Sequence, residues 1–280
     1  MRQFKTLLDN LAFGEGPRWH DGKLYYSDMH AHTVNAVDLQ GRNTTIAEVA
    51  AWPSGLGWLP DGRMLVVSMT DRKLLRQEAD GLKLHADLSG LASYHCNDMV
   101  VDSRGRAYVG NFGYDIIASA PQKPAEMVMV EPDGAARVVA RDLAFPNGTV
   151  ITPDGKTLVV GESMGHRLTA FDVAADGALG NRRVWADLGE GVPDGIALDV
   201  EGAIWVASPF THELLRVKQG GQVAERIKRE QMPIACMLGG PSRRTLFLLT
   251  SESIDPEVLR AKRNSRIETA EVEVAGAGLP

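Results

Sequence analysis

Apolar residues in this chain fall into short runs of strand length separated by glycine-bearing turns, and helical spacing is weak throughout. Asp21-Gly22, Asp61-Gly62, Arg104-Gly105, Asp154-Gly155 and Glu201-Gly202 each stand between two such runs. Pairs of this kind favour tight hairpins, because glycine tolerates positive φ. Residues 241–244 fill the same place in a sixth unit, and successive turns lie 40, 43, 50, 47 and about 41 residues apart. The run that follows each turn repeats as well, at 23–28, 63–68, 106–110, 156–162, 203–208 and 245–250. A strand-and-turn period of roughly 40–50 residues is the signature of propeller blades. Six turns therefore predict an all-β, six-bladed β-propeller, with residues 1–280 forming one domain. A β-helix needs shorter repeats, and a sandwich would not keep so long a period. Residues 4–11 are expected to close the ring against the last blade, and 267–274 to belong to that blade. The irregular stretch from Gly113 to Val128 is expected to be a surface loop, either a lid on the channel or a plain linker.

The repeat also aligns polar residues. Counting back seven residues from the first residue of each turn pair reaches Ser54, Asn97, Asn147 and Asp194, and from Ser242 in the sixth unit it reaches Ala235; in the first unit, one residue shorter, it reaches Glu15. These positions precede the innermost strand, so they are expected at one height around a central channel. Two carboxylates and two amides are hard oxygen donors, suited to Ca²⁺, Mg²⁺ or Mn²⁺ rather than a thiolate-seeking metal. Without a cation, Glu15 and Asp194 repel each other and one of them takes up a proton. Asn and Asp also cap turns at strand entries. Turn chemistry alone does not predict their recurrence at one repeat position.

Other candidates carry less. His30 and His32, in Ser27-Asp-Met-His-Ala-His32, would point the same way on a strand, as a second metal site or as pocket-lining or exposed rings. Cys96 and Cys236 lie far apart without a CxxC, and reduced, inert thiols of a cytoplasmic protein are expected. The chain is 44% hydrophobic and 24% charged with a net charge of −6, which weighs against nucleic acid or anionic membrane as a partner. No apolar stretch reaches the roughly 18 residues of a membrane span, and the first residues do not read as a signal peptide. The arginine-bearing stretches at 182–183, 243–244 and 260–266 read as solvated turns.

Four phrases carry a family likeness: Gly14-Glu15-Gly16-Pro17-Arg18-Trp19, Cys96-Asn97-Asp98, Phe145-Pro146-Asn147-Gly148 and Val192-Pro193-Asp194-Gly195-Ile196-Ala197. In this order and spacing the chain resembles the SMP-30/gluconolactonase/LRE family of six-bladed propellers, from about Leu11 to Glu252. The resemblance implies a divalent-metal-dependent lactonase acting on a small-molecule lactone or ester. Glu15, Asn147 and Asp194 would be the metal ligands, with Asn97 beside the metal as a substrate contact or further ligand. Asp194 would also be the catalytic base. Ca²⁺ is the first expectation, with Mg²⁺, Mn²⁺ and Zn²⁺ left open. His95 falls where lactone-handling members carry a substrate-binding arginine, which makes it a candidate substrate contact and points away from an aldonolactone. With Met29, Met69, Phe112, Met164, Phe210 and Met237, it is expected to give an apolar pocket suited to an aliphatic or aromatic lactone. Glu162-Ser163, Asp28 and Ser208 read as structural. Two alternatives stay open: a phosphotriesterase-like hydrolase on the same site, and a non-catalytic metal-containing binding propeller.

Overall fold

Strand after strand, the chain builds blades around an axis. The computed structural model describes residues 2–116 and 118–278. Among these residues the strands form six four-stranded antiparallel sheets. Five sheets run in sequence order from the innermost strand outward, starting at Gly14–His20, Pro53–Trp58, Cys96–Val101, Pro146–Ile151 and Ile196–Leu198. In the sixth, Met232–Gly239, Thr245–Ser251 and Ser265–Glu271 are completed by the N-terminal strand Lys5–Leu11, which pairs antiparallel with Ser265–Glu271. The expected ring closure is therefore present, with its strand at the outer edge of the last blade.

The turn pairs behave as their chemistry requires. Gly22, Gly62, Gly105, Gly155 and Gly202 all have positive φ, between 68° and 86°. In the sixth unit, which lacks the glycine, Arg243 takes the left-handed conformation instead. The inner strands Cys96–Val101 and Pro146–Ile151 are buried along their whole length, whereas outer strands such as Asn43–Glu48 are mostly exposed. That gradient explains why the inner strands read as small and apolar. The outer edges carry the polar residues that discourage pairing with other chains.

Apolar clusters fill the space between neighbouring blades. One joins the second and third blades through Leu65, Val67, Met99 and Val109, and another joins the sixth and first through Met237, Phe247, Leu24 and Tyr26. Met237 was expected in the channel. Two residues beyond the ring position Ala235, it packs instead into this inter-blade core.

The structure departs from the sequence reading between the second and third strands of the sixth blade. Pro256–Lys262 is a helix, where solvated turns were expected. Asp255 caps it, accepting from the backbone N–H of Glu257 at 2.8 Å and of Val258 at 3.3 Å, with proline in the first turn. Its Leu259 is buried against Phe13, Met29, Met69 and Ile234 at one end of the channel. Among the described residues no helix is long and apolar enough to cross a membrane.

Candidate active site

Most ring positions lie just inside the inner strands rather than before them, whereas Asp194 precedes its strand as expected. Glu15, Ser54, Asn97 and Asn147 are each the second residue of their strand, and Asp194 stands two before Ile196–Leu198. Glu15, Asn97, Asn147 and Asp194 all line one cavity of about 710 Å³ at the channel mouth.

Their closeness follows from the residue that comes next. It is glycine in four blades: Gly16, Gly55, Gly148 and Gly195. A Cβ on Gly148 would lie 2.4 Å from the Asp194 carbonyl oxygen, and one on Gly195 would lie 2.4 Å from the Ala235 Cβ. Bare backbone thus lets neighbouring inner strands touch. The Gly148 N–H donates to the Asp194 carbonyl at 3.1 Å, and the Asp194 N–H donates to that of Ala207 at 2.9 Å. In the third blade Asp98 takes the glycine's place, and its carboxylate accepts from the Arg18 guanidinium at 2.9 Å, spanning from the third blade to the first.

The side chains are held to different degrees. Asn147 Nδ2 donates to Ser163 Oγ at 3.3 Å, and that hydroxyl donates to the Pro193 carbonyl at 2.6 Å. Asn97 has only long contacts, accepting from Ser54 Oγ and donating to the Pro146 carbonyl, each at 3.5 Å. Burial pushes the carboxyls of Glu15 and Asp194 above the usual range, and the charge of Asp98 adds to the rise at both. Asp194 also raises Glu15, which the Gly16 N–H and Arg18 pull back down, while Asn147 pulls Asp194 down. Asp194 Oδ1 is shut off from solvent without a hydrogen-bond partner. An unpartnered carboxylate oxygen, a second raised carboxyl and two amides are what a hard divalent cation would satisfy, so these residues fit the expected metal.

The two histidine readings fare differently. Met29–Ala31 is a 3₁₀ turn, and His32 ends it in the left-handed conformation at φ 61°. The pair therefore does not share a strand face. His30 is buried in the cavity wall, edge-on to Trp52 at 4.9 Å, with its pKa lowered to about 4 by burial and then by Arg260 and His32. His32 Nδ1 bonds the Ala50 carbonyl at 2.8 Å. His95 is not among the residues lining the cavity; its ring stacks on Tyr94 at 4.1 Å and leans toward Phe112.

Met29, Met69, Phe112, Met164 and Phe210 do line it, as expected. Ile116 lines it too, from the 113–128 stretch, whose end is the strand Ala125–Val130; Ile117 lies outside the described residues. Sequence reasoning missed Ser163 as an anchor for Asn147, and it missed Phe13, Trp52, Phe145 and Val192. A signal for these four existed: each stands two residues before a ring position, in the segment that leads into its inner strand, so the repeat brings them to one level around the channel. The helix contributes Glu257 and Arg260 to the rim.

Glu162, Asp28 and Ser208 are structural. Glu162 is fully buried, paired with Arg167 and Arg182, and accepts from the Ala144 N–H at 2.7 Å. Asp28 accepts from the Phe13 N–H at 2.8 Å, and Ser208 from the Val192 N–H at 3.0 Å. Each braces the approach to its own blade's ring position. Cys96 and Cys236 are free and buried, and burial pushes both thiols up, that of Cys96 to about 12.

These features define a six-bladed propeller with an oxygen-donor ring at the mouth of its channel. Residues 13–252 match the SMP-30/Gluconolactonase/LRE-like region, and the chain belongs to that family. It is 25% identical over 247 residues to a 6-deoxy-6-sulfogluconolactonase of Pseudomonas putida, covering 86% of this chain and 84% of that one. To the pentonolactonase XacC of Haloferax volcanii it is 25% identical over 256 residues, covering 85% and 81%. A calcium-binding regucalcin of Agrobacterium tumefaciens superposes with a TM-score of 0.83 at 24% identity, covering 100% of this chain and 97% of that one.

Proposed function

We propose that this protein opens a lactone ring by hydrolysis at the floor of the cavity, with one divalent cation held by Glu15, Asn97, Asn147 and Asp194. The convergence of these four side chains, one with an unpartnered carboxylate oxygen, beneath a cavity sized for a small organic ester carries the reading. The two lactonase relatives support the chemistry, and the calcium-binding regucalcin supports Ca²⁺ as the ion. When bound, the cation supplies positive charge for the lactone carbonyl oxygen as that oxygen becomes an oxyanion.

The rest falls to the chain's own groups. Asp194 takes a proton from the attacking water as the water oxygen bonds to the carbonyl carbon. The tetrahedral centre then breaks its bond to the ring oxygen, which leaves with that proton, and the product is a hydroxy acid. Asn97, with only long contacts on either side, is free to turn its amide toward the substrate. Ser163 keeps Asn147 aimed at the ring. Two free, buried cysteines fit a reducing compartment such as the cytoplasm.

A pH-stat assay over a panel of γ- and δ-lactones tests this reading. The Ca²⁺-loaded protein is expected to open at least one of them, and Asp194→Ala to lower kcat by about 100-fold or more. A panel left untouched by the loaded protein, or an Asp194→Ala enzyme as fast as the parent, would sink it.

A further inference from the structure

Above the polar ring, the cavity wall is apolar. The residues two ahead of the ring positions include Phe13, Trp52, Phe145 and Val192, and all four line the cavity. Phe112 stacks on Phe145 at 4.5 Å and extends this belt, while Met164 adds a flexible thioether. Two of the belt's aromatics are held against backbone preference: Trp52 has φ 65° and Phe145 φ 62°, in the left-handed region where a bulky side chain is strained. Strain of this kind collects at ligand sites. At the rim, Phe210 and Ile254 line the mouth while remaining 56% and 53% exposed, in a chain whose other large apolar side chains are mostly buried.

Polar partners above the ring are few. Ser163 Oγ already donates to Pro193 and accepts from Asn147. His30, buried with its ring against Trp52 and Phe13, has Nδ1 without a hydrogen-bond partner and is, among the described residues, the one imidazole in the wall. The other polar groups, on the helix, sit at the rim. A polyhydroxylated lactone entering this cavity would give up many hydrogen bonds to water and regain few of them along the apolar wall, and unmade bonds of that kind weigh heavily against binding.

We infer that the substrate is a lactone with an apolar alkyl or aryl body, seated with its ester on the polar ring and its hydrocarbon along the aromatic belt toward Phe210 and Ile254. The inference rests on the lactonase reading above and narrows it.

A homologous series of straight-chain γ-lactones, set beside glucono-δ-lactone, tests it in the Ca²⁺-loaded protein. KM is expected to fall about fourfold per added methylene until the chain reaches the rim. kcat/KM for the longer members should exceed that for glucono-δ-lactone at least tenfold. Phe210→Ser should raise KM for the longest lactone by a larger factor than for the shortest. Calorimetric titration with the corresponding hydroxy acids, which needs no turnover, should show affinity rising with chain length and a negative heat-capacity change. If lactones are opened but glucono-δ-lactone is the better substrate, or if chain length changes neither KM nor product affinity, the apolar assignment is overturned while lactone hydrolysis stands. If no lactone is opened, the lactonase reading falls and takes the assignment with it.

Discussion

Three carboxyls, Glu15, Asp98 and Asp194, gather at the channel axis, and of these three only Asp98 has an ion pair with a described residue, Arg18. The other two are held above the ordinary carboxylate range, chiefly by burial. In the metal-free protein the native state therefore keeps protons that the unfolded chain releases. Native stability is then greatest at low carboxylate pH and declines as pH rises through the raised pKa values. Urea unfolding of chelator-treated protein should show this decline, and the double variant Glu15→Gln/Asp194→Asn should flatten it. Since a cation must displace the same protons, Ca²⁺ affinity should strengthen over the same rise in pH. Ser163 is the second residue-scale test. Ser163→Ala removes the anchor of Asn147 and should weaken Ca²⁺ binding about 10–100-fold while leaving the fold intact, as titration calorimetry against thermal unfolding would reveal.

Inner strands are the elements that hold the ring together, and their glycines set its diameter. Gly148→Ala would push a Cβ to within 2.4 Å of the Asp194 carbonyl and 2.6 Å of the Ile196 nitrogen, so backbone must move. Overpacking of this kind costs about 1–3 kcal/mol. The shift would separate Asn147 from Asp194, so thermal unfolding and Ca²⁺ affinity should both suffer. Gly22→Ala is the contrast: no atom lies within 4 Å of its Cβ, so it strains a turn at φ 77° and should leave the ion's affinity unchanged. The turns and ring positions were legible in the sequence because each recurs once per blade at fixed spacing. The rim helix was not. Pro256–Lys262 spans 7 residues in one blade only, and its arginine and lysine resemble those of a solvated turn. The shared strand face expected of His30 and His32 failed for a related reason, since a single 3₁₀ turn leaves no periodicity to read, although His30 does line the cavity as its pocket-lining reading expects. His95 occupies the third-blade position of the aromatic belt, yet its stacking on Tyr94 is a tertiary choice that repeat position does not encode.

At the scale of the whole molecule, the ring is closed by a strand from the opposite end of the chain. Lys5–Leu11 pairs with Ser265–Glu271, and Leu11 belongs to the core that joins the sixth and first blades. Deleting residues 2–11 should open that seam, lower the thermal midpoint and weaken Ca²⁺ binding through Glu15, whose strand begins three residues after Leu11 at Gly14. The family match over 13–252 stops short of both the closing strand and the rim helix. All four ring side chains, Glu15, Asn97, Asn147 and Asp194, fall within that match. On the function proposed above, four side chains from four blades form one divalent-cation site on which lactone opening depends. The most direct measurement titrates Ca²⁺ into chelator-stripped protein and follows lactone opening against bound ion, with Asp194→Asn in parallel. Activity is predicted to rise in proportion to bound Ca²⁺, saturate at one ion per chain and be lost in the variant. Full activity in the stripped protein, or undiminished Ca²⁺ binding by Asp194→Asn, would contradict it.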